Sequence, residues 1–474
     1  MTFEDYRKYD AVGLAQLVAK REVSPQELLD AARDRAAKVN PAINAIVAML
    51  DAEAEKTLSS PLPAGSLSGV PYLLKDIGAQ MQGVITTSGS RLFAKARAET
   101  DSAIVSAYRK AGLVIFGKTN TPEFGLAATT EPVHFGPSRN PWNTDRSTGG
   151  SSGGAAAAVA AEIVPAAHAS DGGGSIRTPA SCCGIFGMKP SRGRVSMSPA
   201  GEGWGSLSVQ HAVTRSVRDS AALLDAVCQP VVGDPYWAPP PERPYLEEVG
   251  RDPGRLRIGF TTAALTWGAL DAPNLRGVRE TARLCESLGH DVEEVVLAGN
   301  CQMMAVAVNV LVSTNISAML DREGERRGAP IREDEIERLT WMMYQDARRH
   351  TGVAYAGAMQ TMHAFGRTLS SVFAKYDVVL LSTNAKPPVP LGWMDTNAQD
   401  LTNYGERLYS FMPNTQPFNV NGSPAMSMPL AWSDDGLPVG IQFAAAPGRE
   451  DVLFRLAGQI EQVRPWANKH PTFS

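Results

Sequence analysis

Residues 147–190 constrain this chain more than any other stretch. They read STGGSSGGAAAAVAAEIVPAAHASDGGGSIRTPASCCGIFGMKP and hold two glycine–serine clusters, Gly149 to Gly154 and Gly172 to Ser175. The alanine-rich segment between them predicts a helix, alanine being the best helix former. A flexible linker would not lead into an apolar helix, nor return 24 residues later followed by Ile176 and Arg177. A phosphate loop of the P-loop kind needs Lys-Ser or Lys-Thr after its last glycine, and neither cluster has it. A catalytic turn remains. Glycines let backbone approach a reacting group closely, N–H groups aimed at one point form an oxyanion hole, and a serine beside them can attack.

A serine nucleophile needs a base. Of the seven histidines, His134, His168 and His211 lie nearest the serines in sequence. None sits in a neighbourhood like that of a Ser-His-Asp site, and the chain has no Gly-x-Ser-x-Gly elbow. Lys75 is the better candidate. It closes the apolar run Val70-Pro-Tyr-Leu-Leu and precedes Asp76, and a lysine at the end of a buried strand can lose its proton through desolvation. Taken alone, a lysine there would read as an ordinary surface residue.

Around this stretch, short apolar runs alternate with helical periodicity. Strands are predicted at 70–74, 113–116, 257–260, 378–381, 425–429 and 439–443, and helices at 101–110, 272–288, 332–349 and 451–463. Such alternation argues for an α/β fold with a mixed, mostly parallel β-sheet covered by helices. Residues 10–56 read as helical. Ser24, Pro25 and Glu27 form an N-terminal capping signature, and Asn40-Pro41 is the expected stop of that helix. The reading therefore divides the chain into an N-terminal helical arm, 1–60, and a catalytic domain, 61–474, with a helical insertion at about 300–375. The Pro-rich residues 238–244 mark a surface linker.

The blocks GVPYLLKD (69–76), GKTNTPE (117–123), GGSSGG (149–154) and SDGGGSIRTPASCCGIFGMKPS (170–191) resemble the amidase signature family in order and spacing. PFNVNGSPAMSMPL (417–430) and DGLPVGIQF (435–443) fit it too, so the resemblance runs from about residue 10 to 465. It implies the amidase signature fold and a Ser–cis-Ser–Lys triad. Ser175 is then the nucleophile, Ser151 the bridging serine after a non-proline cis bond, and Lys75 the base. The 24-residue interval to Ser175 selects Ser151 over Ser152. The resemblance also places the backbone N–H groups of Gly172, Gly173, Gly174 and Ser175 around the oxyanion, with Asp171 and Arg177 as supports of the loop. Many members carry Thr or Ile where this chain has Gly172, so the loop lacks a side chain there.

By the same similarity Gly125, Leu126 and Ala127 line the acyl pocket, with further walls from the helical insertion and residues 401–412. TTEP, RNPWN and GREDVL look closest to bacterial amidases acting on cyclic aminohexanoate dimers, whose relatives cleave aryl amides and carbamates. The expected substrate is a small, fairly apolar amide or carbamate, and the resemblance calls for no metal or cofactor. Two other readings carry the same signature: a transfer-RNA-dependent amidotransferase subunit and a non-catalytic binding protein on the amidase fold. A formal net charge of −4 without a basic stripe argues against nucleic acid as a partner. No run approaches 18 uninterrupted apolar residues, so no membrane partner is expected. A second copy of the chain, as a homodimer, stays open. The acidic N-terminus lacks a secretory pattern, and five sparse cysteines suit a reducing, cytoplasmic setting.

Overall fold

The structure, a computed structural model, describes residues 1–472; residues 473 and 474, the end of the span assigned to the catalytic domain, lie outside them. In chain order the strands are β1 (Ile46–Met49), β2 (Pro71–Lys75), β3 (Val114–Thr119), β4 (Arg139–Asn140), β5 (Asn143–Ser147), β6 (Ala166–Asp171), β7 (Phe186–Lys189), β8 (Val209–Thr214), β9 (Arg257–Phe260), β10 (Asp291–Glu294), β11 (Val378–Ser382), β12 (Ala425–Trp432) and β13 (Pro438–Ala445). β4 and β5 form a small hairpin. The other eleven make one sheet in the order β1-β3-β2-β6-β8-β7-β12-β13-β11-β9-β10. The sheet is mixed, as expected, but parallel pairs are not the majority. Four of its ten described pairings are parallel, β3·β2, β2·β6, β11·β9 and β9·β10. The other six are antiparallel. The reason lies in the connections. Helices carry the chain between parallel neighbours, whereas β12 and β13 are joined by the tight turn at 433–437 and β7 and β8 return beside each other.

Strand alternation sorts side chains onto two faces. On β11, Val378 and Leu380 join the larger core with the helices Gly153–Ala160, Val217–Val227, Ala272–Ser287 and Glu450–Val463. Val379 and Leu381 face the other way, into a second core under the helices Cys301–Arg327 and Gly352–Ser370 of the insertion.

Several boundaries differ from expectation. The helix starting at Pro25 runs through Pro41 to Ile43, and Asn44, in the left-handed region, ends it. Pro41 gives up its own bond to the carbonyl four residues back, and the helix closes within two residues of it. The Asn40 side chain also holds the exit, accepting from the N–H groups of Ala45 and Ile46. The arm is not wholly helical, since β1 leaves it to pair with β3 at the sheet edge. In the insertion, Glu333–Glu335 form a single 3-10 turn and the helix begins at Arg338 rather than 332. Glu337 is drawn aside to accept from Val133 N and from Thr396 Oγ1.

One helix among the described residues, Cys301–Arg327, is long and apolar enough by length and composition to cross a membrane. Polar residues such as Asn309 and Ser313 interrupt its apolar run. Of its apolar window 56% is buried inside the protein, as in a core helix.

Candidate active site

The C-terminal ends of β2, β3 and β6 lie side by side, and parallel strands commonly present ligand sites at these ends. Lys75 is the last residue of β2. The two Gly/Ser clusters meet it there, one opening the helix Gly153–Ala160 and the other following β6. Ser152 N donates to the Ser175 carbonyl at 3.3 Å, which ties the clusters together.

Lys75 is fully buried. Its Nζ donates to Ser151 Oγ at 2.7 Å and to Ser170 Oγ at 3.0 Å. Burial pulls its pKa down to about 7, against a smaller opposing pull from the Asp171 carboxylate. The neutral amine is thus accessible near neutrality, as a base requires. His168 is not a competing base. Burial and then the Lys75 charge push its pKa down to about 3, and its ring accepts the Lys75 backbone N–H at 3.3 Å. His211 is buried likewise, with a pKa near 3.

The Gly150–Ser151 peptide bond is cis. Gly150 is required by crowding, since a Cβ there would lie 2.5 Å from the Thr129 carbonyl oxygen and 2.8 Å from that of Ala127. The 129–130 segment also anchors the cluster through Thr130 Oγ1, which donates to the Gly149 carbonyl and accepts from Gly153 N.

The second cluster is held from below. Asp171 and Arg177 are both fully buried and paired at 2.9 Å. Arg177 also donates to the Thr415 carbonyl, Gln442 and Asn419. Burial works to raise the Asp171 pKa, but the Arg177 guanidinium outweighs it and holds the carboxyl well below the usual range. Removing one partner of a buried pair leaves an uncompensated charge, so Arg177→Ala should destabilise the fold by about 3–5 kcal/mol. Chemical denaturation checks this, and an unchanged midpoint would contradict it.

Asp171 also changes the donor set. The N–H of Gly174 donates to Asp171 Oδ1 at 2.7 Å and that of Ile176 to Oδ2 at 3.1 Å. Gly174, expected among the oxyanion donors, is therefore committed to the loop itself, because a carboxylate at that distance takes its hydrogen. The N–H groups of Gly172, Gly173 and Ser175 have no acceptor within the described residues. The Ser175 hydroxyl likewise has no hydrogen-bond partner there.

Ser175, Gly172 and Gly173 open onto a cavity of about 430 Å³. Gly125, Leu126 and Ala127 form one wall, and a methyl group at Gly125 would lie 3.2 Å from Ser151 Oγ. Met342 and Met343 of the insertion line it, as do Leu401, Tyr404, Leu408, Tyr409 and Met412. Trp341 and Tyr344 pack in a neighbouring core cluster instead. Among the described residues no group of three or more His, Cys, Asp or Glu side chains could hold a metal ion.

Three residues escaped the sequence reading. Ser170 is the second acceptor of Lys75, and its place at the end of β6 beside β2 was the available signal. Glu123 is buried, and burial raises its pKa to about 7. It accepts from Ser90 Oγ, Glu337 N and Thr340 Oγ1, joining the pocket segment 123–127 to the insertion. Trp204, after a long connection, lines the cavity beside Gly172.

Comparison with known proteins matches residues 27–454 to the Amidase family model. The chain is 38% identical to the 6-aminohexanoate-cyclic-dimer hydrolase of Paenarthrobacter ureafaciens, over 98% of this chain and 96% of that one. It is 32% identical to an acylamidase of Rhodococcus erythropolis, over 100% and 99%. A solved structure of 6-aminohexanoate cyclic dimer hydrolase complexed with substrate superposes with a TM-score of 0.93 at 38% identity, covering 98% of each chain. On fold, signature and relatives together, the chain belongs to the amidase signature family and is an amidase, a hydrolase of carbon–nitrogen bonds.

Proposed function

We propose that this amidase works through an acyl-enzyme on Ser175, with Ser151 and Lys75 as its proton relay. The observation that carries this is the 2.7 Å bond from Lys75 Nζ to Ser151 Oγ, at a lysine whose pKa burial has brought to about 7. Neutral Lys75 takes the Ser151 proton, Ser151 takes that of Ser175, and Ser175 Oγ attacks the carbonyl carbon. The link from Ser175 to Ser151 closes as substrate enters, since catalytic hydrogen bonds often tighten only then. The N–H groups of Gly172, Gly173 and Ser175 receive the oxyanion. As the intermediate collapses, the relay returns the proton to the leaving nitrogen, the C–N bond breaks and an acyl ester remains on Ser175. Water, deprotonated through the same relay, cleaves the ester and restores the serine.

The substrate is a small, largely apolar amide or carbamate, linear or cyclic. This is supported by a cavity walled mainly by Leu, Met, Val and aromatic side chains and by the similarity to a hydrolase of a cyclic aminohexanoate dimer. The five cysteines are all unpaired, which supports a reducing, cytoplasmic setting.

The test is a mass-spectrometric hydrolysis screen of the enzyme beside Ser175→Ala. The panel holds short aliphatic amides, anilides, linear and cyclic aminohexanoate oligomers, aryl carbamates and glutamine. Turnover of an apolar amide or carbamate that vanishes in the variant supports the reading. Turnover of glutamine alone would move it to an amidotransferase subunit, and no turnover at all to a binding protein.

A further inference from the structure

Position 172 carries no side chain, yet the space beside it is filled. A Cβ built on Gly172 would lie 2.6 Å from Cζ3 and 2.7 Å from Cε3 of Trp204, and 3.0 Å from Ser208 Oγ. The indole therefore lies directly against the loop that lines the cavity. Trp204 and Gly172 line the same cavity as Ser175.

The placement of the ring is enforced. Trp204, Gly205 and Ser206 follow one another in the left-handed region, with φ of 58°, 67° and 67°. For a bulky residue such as tryptophan this is a true outlier, which persists only where the surroundings over-determine it. Here they do. Ser208 N bonds back to the Gly203 carbonyl at 3.1 Å, and Arg192 Nε donates to the Ser206 carbonyl at 2.8 Å. Asn419 Nδ2 reaches the Leu207 carbonyl at 3.2 Å while also holding Asp171. One asparagine thus fixes the tryptophan loop and the oxyanion loop to each other. The indole itself packs against apolar residues of the insertion and of the pocket segment.

We propose that Trp204, seated in the volume a side chain at 172 would occupy, is the specificity-determining residue of this cavity, selecting acyl groups that are unbranched beside the reacting carbonyl. The inference rests on the acyl-enzyme reading above. A carbonyl oxygen held at the Gly172 N–H brings its neighbouring carbon against the indole. A methylene or a flat ring passes along the face of the ring, whereas a branch at that carbon meets it. Position 172 must stay glycine for the same reason, because ring and Cβ exclude each other.

The test uses inactivation of Ser175 by two fluorophosphonates that differ only in a straight or a branched alkyl group on phosphorus, so it needs no knowledge of the natural substrate. The native enzyme should prefer the straight probe by about tenfold or more, the scale of discrimination one methylene brings in an apolar pocket. Trp204→Ala should erase most of that preference, and Trp204→Leu offers the same comparison if the alanine variant does not fold. Gly172→Ala should slow labelling about tenfold in the native background and clearly less when combined with Trp204→Ala, where of its three nearest contacts only that to Ser208 Oγ at 3.0 Å remains, since coupled neighbours are non-additive. An unchanged straight-to-branched ratio in folded Trp204 variants, or equal losses from Gly172→Ala in both backgrounds, overturns the inference while leaving the acyl-enzyme reading intact. No labelling of Ser175 by either probe overturns that reading and the inference with it.

Discussion

Ser175→Ala lowers kcat/KM for amide hydrolysis by about 10⁴-fold or more, the scale of loss when a serine nucleophile is removed, with little change in stability. The large effect follows from chemistry, because water held beside the same N–H groups is a far weaker nucleophile than a relay-activated serine. The small one follows from packing. Ser175 is only half-buried, and its hydroxyl has no hydrogen-bond partner among the described residues. Steady-state kinetics and thermal unfolding on one preparation separate the two. A variant that keeps a tenth of native activity would remove Ser175 from the mechanism.

Lys75→Met is expected to abolish turnover to a similar degree and, unlike Ser175→Ala, to raise stability. In the native protein activity should rise with pH through about 7 as Lys75 loses its proton, falling about tenfold per pH unit well below that point. The stability sign follows from linkage. Between about 7, the folded pKa, and 10.5, the ordinary value, the unfolded chain binds more protons at Lys75 than the folded one. Stability therefore rises with pH across this window, by about 1.4 kcal/mol per unit, and the cost of burying the ammonium is fully present below it. Lys75→Met removes that cost, about 4 kcal/mol near neutrality. It also gives up two hydrogen bonds of about 1 kcal/mol each, to Ser151 and Ser170. A net gain of about 2 kcal/mol near pH 7 is expected, together with a flatter stability profile above it. Denaturant unfolding of both proteins from pH 6 to 10 checks this. Parallel profiles would mean that Lys75 is an ordinary charged lysine.

The parts of this enzyme that local sequence dictates were the legible ones. β9 lies at 257–260, where a strand was expected, and the alanine segment forms the helix Gly153–Ala160. Lys75 and Ser151, 76 residues apart in sequence, are hydrogen-bonded as the family pattern implies. What was misread depended on tertiary context. β1 hid in a stretch of helical periodicity, where the β-branched pair Ile46-Val47 after Asn44 was the one local hint. The balance of parallel and antiparallel pairs is set by which strands meet, and no strand's own sequence carries that. Gly174 looked like its neighbours until the Asp171 carboxylate was seen to take its N–H. Trp204 sits in a stretch with no motif around it, and its meaning appears only where its ring meets Gly172.

The most direct measurement of the central claim is the mass of the enzyme quenched during turnover of a slowly deacylating aryl ester or carbamate, followed by peptide mapping. The account predicts one acyl adduct, on the peptide carrying Ser175, absent in Ser175→Ala. An adduct on another residue, or continued amide turnover with no adduct under conditions that trap one on an ordinary serine hydrolase, would contradict it.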